Sequence, residues 1–102
     1  MYINIKSTSN YERYIRARAA VCGYCTTKDL AQVLGIASAT LNSRLRGDSH
    51  WSVRECNALY DALQLEFVDW ILLSLFRSSP FDSEYKVMRK YITNYLRVAN
   101  AH

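Results

Sequence analysis

The side chains best able to do covalent or metal chemistry are few. Cys22 and Cys25 form a CxxC pair, and Cys56, His50 and His102 are the remaining soft ligands. A redox dithiol of this spacing sits at a strand-to-helix junction of a βαβ fold, and no such alternation surrounds this pair. A structural zinc site takes four ligands at matched spacing, and Cys56, His50 and His102 form no second knuckle. Both cysteines of the pair are therefore expected to be small buried hydrophobes. The chain has no glycine-rich phosphate loop, no Ser/His/Asp set and no paired carboxylates in an acid–base setting. The expectation is a protein that is not an enzyme and uses no metal and no cofactor.

The chemistry that remains is recognition, and it lies in residues 38–46, SATLNSRLR. Read as a helix, this stretch turns Leu41 and Leu45 inward, one turn apart. The opposite side carries Ala39, Ser43 and Arg46, flanked by Thr40 and Asn42. A short helix with a small, polar, basic outer face suits a DNA major groove. A second short helix is expected just before it, over residues 27–34. Thr26 is its N-cap, and Asp29 at the third helical position gives a capping-box spacing. Leu30, Ala31 and Leu34 share its inner face. Gly35 stands where the chain turns sharply, in a backbone conformation that glycine tolerates.

With Leu30-Ala31, Gly35-Ile36, Leu41, Leu45 and Gly47 at these spacings, residues 26–47 resemble the Cro/cI-type (XRE-like) helix-turn-helix family of phage repressors and related regulators. The likeness extends more weakly to Leu65 through WSVRECNALYDALQL. Ala31, four residues before Gly35, lets the two helices cross closely. The resemblance implies that Ser38, Ala39, Asn42 and Ser43 meet base edges, and that Thr27, Lys28, Thr40, Arg44 and Arg46 touch phosphates. Two positions depart from the family. Thr27 stands where a DNA-contacting glutamine is common, and Arg44-Leu45 replaces an aromatic followed by an acid. Arg44 thus stands as a contact to phosphate or to guanine.

The elements around this stretch follow from patterning. The 102 residues suffice for one domain with a modest core, and one proline with three glycines argues against a turn-rich β fold. The net charge is +4, distributed as +5 over residues 1–46, −5 over 47–84 and +4 over 85–102. A DNA-facing surface would therefore draw on the N-terminal half, with the C-terminal helix as a further basic surface. Residues 2–6 alternate as a short strand or arm. A helix is expected from the Ser9 cap to about Val21, with Tyr11, Ile15 and Ala19 inward and Arg13, Arg16 and Arg18 largely outward. Ser52 and Glu55 open another helix over residues 53–63, with Trp51 as a staple against Cys56. An apolar helix follows over residues 65–76, and a last one from Pro80 to Ala99, with Ser79 as N-cap.

The expected fold is all-α: a compact bundle of five to six helices in a single domain, residues 1–102. A helix-turn-helix core would span residues 9–65 and a C-terminal helical pair residues 66–102. The surplus apolar surface of that pair suggests a homodimer through Phe67, Trp70, Ile71, Phe81, Tyr85, Ile92 and Tyr95. No segment has the roughly 20 apolar residues of a membrane span, and the first residues lack a leader pattern. The expected location is cytoplasmic, with no membrane contact. The expected function is a sequence-specific, phage- or mobile-element-type repressor that binds double-stranded DNA as a homodimer. The alternative is an antitoxin-like or inhibitor protein whose C-terminal helices bind a protein partner.

Overall fold

The computed structural model of the chain describes residues 9–100. The expected strand or arm at residues 2–6, and His102, lie outside these. Six helices follow one another, and the described residues contain no strand: α1 Asn10–Val21, α2 Thr27–Leu34, α3 Ser38–Arg46, α4 Val53–Leu63, α5 Phe67–Phe76 and α6 Tyr85–Asn100. The all-α architecture is as expected.

Local chemistry sets most of the boundaries. The Ser9 and Thr26 hydroxyls accept the backbone N–H groups of Glu12 and Asp29 at 3.1 and 3.0 Å, capping α1 and α2. Ser52 and Glu55 form a reciprocal capping box on α4. Gly35 ends α2 in the left-handed region at φ 71°, and the Ile36 N–H closes back on the Ala31 carbonyl at 3.0 Å. Gly47 ends α3 in the same region. Gln64 and Arg77 also adopt positive φ at the ends of α4 and α5, where no glycine marks the turn.

One core joins the first five helices. Tyr11, Ile15 and Ala19 of α1, Leu30, Ala31 and Leu34 of α2, Leu41 and Leu45 of α3, Leu59 and Leu63 of α4, and Leu73 of α5 are buried together. The α2 helix packs on α3 and α4, and α1 crosses the same pair. The α6 helix packs on α5 instead. There the Tyr85 hydroxyl donates to the Asp69 carboxylate, which also accepts from Arg89 Nε at 2.9 Å. Burial, and then the Asp69 carboxylate, push the Tyr85 hydroxyl well above its ordinary pKa.

Several expectations are corrected. The last helix starts at Tyr85, not at Pro80; the stretch before it is held in turns around the Asp82 carboxylate. That carboxylate accepts the Ser79 N–H at 2.8 Å and the Asn10 side-chain amide at 2.9 Å. Backbone bonds from Asp82 to Ser79 and from Tyr85 to Asp82 then close turns of the i→i+3 type. Asn10 thereby ties this turn to α1. The α5 helix begins at Phe67, with Leu65 in the connection. Cys25 is exposed and Cys22 half-buried, so the pair is not a buried apolar unit. The intervening Tyr24 packs on the core in their place.

Arg18 is not a free outward charge. It donates to the Leu63 and Gln64 carbonyls at 2.7 and 3.1 Å, capping the end of α4. Trp51 reaches across to α1, its Nε1 donating to the Tyr11 hydroxyl at 2.7 Å.

The proposed interface residues of the C-terminal pair also divide. Tyr85 is only 6% exposed and has no surface left for a partner, which removes it from that set. Trp70 packs on the core with Tyr60 at 5.8 Å, and Phe81 stands edge-on to Tyr14 at 5.7 Å. Phe67, Phe81 and Tyr95 remain exposed, and Ile71 and Ile92 are half-buried. Among the described residues no helix is long and apolar enough to cross a membrane.

Leu41 is fully buried where α3 meets α1 and α2. Leu41→Ala should lower the unfolding free energy by about 2–5 kcal/mol in urea titration. Val53→Ala, at a solvent-facing position, should stay within about 0.5 kcal/mol of the parent.

Candidate nucleic-acid interface

The outer side of α3 is set by its inner side. With Leu41 and Leu45 fully buried, Ser38, Ala39 and Arg46 are exposed, and Thr40, Asn42, Ser43 and Arg44 lie half-buried at the flanks. No acidic residue lies on α3. Its N-cap position is Ala37, which supplies no side-chain hydrogen bond, so the first-turn N–H groups carry no side-chain cap. The N-terminus of α2 lies beside α3 with Thr27 half-buried and Lys28 exposed. From α4, the Arg54 guanidinium reaches the α2–α3 turn: a Cβ at Gly35 would stand 3.6 Å from its Nη1.

Arg16 of α1 unites these parts. Its Nη1 donates to the Thr27 hydroxyl and its Nη2 to Asn42 Oδ1, each at 2.9 Å. Its Nε is held by Glu12, one turn earlier, also at 2.9 Å. One guanidinium therefore links three helices at the face where Thr27 and Asn42 were expected to meet DNA. The sequence pattern presented Arg16 only as an outward charge on α1. A Glu-to-Arg i,i+4 pair was visible, but the 26-residue separation from Asn42 gave no local signal.

Arg44 has a different setting from the one expected. Its Nε and Nη2 donate to the two Glu55 carboxylate oxygens at 2.8 and 3.3 Å, and its Nη1 donates to Ser49 Oγ at 2.6 Å. Ser49 Oγ also shares a hydrogen bond with Ser43 Oγ at 2.7 Å. The guanidinium is thus directed along the protein surface toward α4, away from an outward approach to phosphate or base. Glu55 caps α4 and holds α3 with the same carboxylate, a double use that its capping-box pattern did not reveal. The Arg44 hydrogen bond, followed by those from Ser52, holds the Glu55 carboxyl below its ordinary value, against the opposing effect of desolvation.

Arg77, just past α5, completes the support. Its Nη2 donates to the Leu45 carbonyl at 3.0 Å, satisfying an open acceptor at the end of α3, and its guanidinium lies 3.7 Å from the Tyr11 ring centroid. Arg46 pairs with Asp48 at 2.9 Å in a solvent-exposed contact, which water and salt screen. Among the described residues Lys28 makes no ion pair. The structure thus joins Thr27 and Asn42 through Arg16, leaves Ser38, Ala39 and Lys28 exposed, and turns Arg44 aside. Among the described residues no group of three or more His, Cys, Asp or Glu could hold a metal ion.

Compared with protein-family models, curated proteins and solved structures, the chain shows no significant match to any of the three.

Because the folded-state pKa of Glu55 is depressed, its contribution to stability is present above the ordinary glutamate value of about 4.5 and is lost as pH falls through the folded value. Glu55→Gln should therefore melt lower than the parent near neutral pH. The gap in Tm should narrow as pH is lowered from about 4.5 through the depressed folded value in a series of thermal melts. A gap independent of pH would show that the ion pair adds nothing.

Proposed function

We propose that this chain is a sequence-specific DNA-binding regulator of transcription, a repressor of the phage or mobile-element type, that occupies its operator as a homodimer. The observation that carries the reading is the disposition of α3. Its apolar side is sealed into the core, while its other side is small, polar, free of acids and bordered by Lys28, Arg16 and Arg46. Such a helix enters a major groove without steric or electrostatic conflict. Ser38, Ala39, Asn42 and Ser43 would meet base edges. Lys28, Thr27, Thr40 and Arg46 would meet phosphates, and the uncapped first turn of α3 supplies further N–H donors to an anion. Arg44 acts here through Glu55 and Ser49, holding α3 at its angle.

The dimer reading rests on α6. Val87, Tyr91, Tyr95 and Val98 recur at steps of three or four and are exposed, Tyr91 at 77% and Tyr95 at 68%. Tyr91, Asn94, Tyr95 and Val98 line a shallow apolar cleft. Packing this face on a second copy would bury it and hold two α3 helices at a fixed distance. Two-headed regulators need about 34 Å, one turn of DNA, between heads. The interface assigned this way is the Val87, Tyr91, Tyr95 and Val98 face of α6.

Binding to an operator-containing duplex should weaken steeply with salt. Lys28→Ala should weaken binding to all sequences alike and reduce the slope of log K against log salt by about 0.9. Fluorescence anisotropy between low and physiological salt reads both. Retention of no duplex even at low salt would refute the repressor reading and leave the α6 face as the functional surface, as in an antitoxin-like protein. Tyr91→Ser with Tyr95→Ser should convert a dimer to a monomer in sedimentation at micromolar concentration. A parent chain that is already monomeric there would refute the dimer.

A further inference from the structure

A guanidinium has five N–H donors and no acceptor. Three of those on Arg16 are directed to Glu12, Thr27 and Asn42. Because Arg16 can only donate, the Asn42 atom 2.9 Å from its Nη2 has to be the carbonyl oxygen. The side-chain amide is therefore oriented by chemistry: its oxygen faces Arg16 and its NH2 group points elsewhere. Asn42 is half-buried, and the Arg16 side chain is 35% exposed, so both are within reach of a ligand lying on α3.

An unconstrained asparagine on a reading helix pairs with adenine, accepting from N6 and donating to N7. That arrangement needs the oxygen to face the base. Here the oxygen carries a cation at hydrogen-bond distance. Its second lone pair lies beside a positive group that repels the N6 hydrogens of adenine and attracts an acceptor such as O6 of guanine. The Thr27 hydroxyl accepts from Arg16, so its own hydrogen is free to point outward. Two Arg16 N–H bonds have no partner among the described residues. The edge formed by Arg16, Thr27 and Asn42 thus offers donors.

We propose that Arg16 fixes Asn42 as a hydrogen-bond donor, so that α3 selects guanine rather than adenine at the base pair Asn42 reads. This rests on the DNA-reading role of α3 proposed above. Guanine presents N7 and O6, two acceptors, to the donor edge. Thymine presents one acceptor, and cytosine presents its N4 donor and is disfavoured. Arg16 is a positioning residue in this scheme, and its removal changes which base is preferred, beyond any loss of affinity.

The test is selection from a random duplex pool by the full chain, its Asn42→Ala variant and its Arg16→Met variant. The base pair whose preference disappears in Asn42→Ala is the one Asn42 reads. The expected wild-type base there is guanine, by roughly fivefold or more over adenine. In Arg16→Met, which frees the Asn42 oxygen, the preference should move to adenine. Should circular dichroism find Arg16→Met unfolded, Arg16→Lys, which keeps the charge but loses the planar fork, replaces it, and its guanine preference should weaken. Adenine in the wild-type consensus, or a guanine preference unaltered by the Arg16 substitution, overturns the inference and leaves DNA reading intact. Enrichment of no sequence by the wild-type chain overturns both.

Discussion

The burial of Leu41 and Leu45 is the constraint from which the rest of the structure follows. Both lie at zero exposure beneath α3, against Leu30, Ala31 and Leu34 of α2 and the inner residues of α1 and α4. A nine-residue helix makes too few internal hydrogen bonds to persist alone. Its existence depends on two leucines entering a pocket that other helices have already framed. Ala31 leaves room for the crossing, and the left-handed Gly35 returns the chain at the needed angle. Once those leucines are seated, the direction of every other α3 side chain is determined by helical geometry.

Around that apolar seat the protein holds α3 by three arginines from different places. Arg16 of α1 reaches its middle at Asn42, Arg44 ties its last turn to Glu55 of α4, and Arg77 after α5 donates to its final carbonyls at Leu45. Each supplies donors where a helix flank or terminus has acceptors to satisfy. The planar guanidinium suits this because one group can meet partners on separate elements at once. The N-terminus of α3 has no corresponding side-chain clamp, and its N–H groups are left for an anion. The helix is thus braced along its length and at its C-terminal end, and without a side-chain cap at its N-terminal end.

The C-terminal pair is organised differently. The α5 helix belongs to the core through Leu73, whereas α6 is held to α5 by Tyr85 and Arg89 converging on Asp69. Beyond that cluster Val87, Tyr91, Tyr95 and Val98 of α6 are solvent-exposed, while Ile92 and Leu96 are half-buried. An exposed row of Tyr and Val is the feature on which the proposed homodimer rests. In the proposed dimer, contacts of this kind would set the spacing between two copies of α3.

Period and punctuation made much of the fold legible in the chain itself. The caps at Ser9, Thr26 and Ser52, the stops at Gly35 and Gly47, and the inward sets of α1, α2 and α3 are local, since each involves residues within one or two helical turns. The start of α6 was not legible. Ser79-Pro80-x-Asp82 is a sound helix opening, and the Ser79 N–H does reach the Asp82 carboxylate, but the backbone there closes i→i+3 turns and Asn10, some seventy residues away, binds the other carboxylate oxygen. Nor were the roles of Arg16, Arg44 and Glu55 legible. A charged side chain on a helix reads as solvated until the fold brings a partner to it, and Asn42, Ser49 and Leu45 reach their arginines only after the helices pack. Local periodicity therefore determined which face of α3 is outward. Tertiary packing alone decided which of the groups on that face are free and which are already engaged, because hydrogen-bond partners distant in the chain leave no imprint on local pattern.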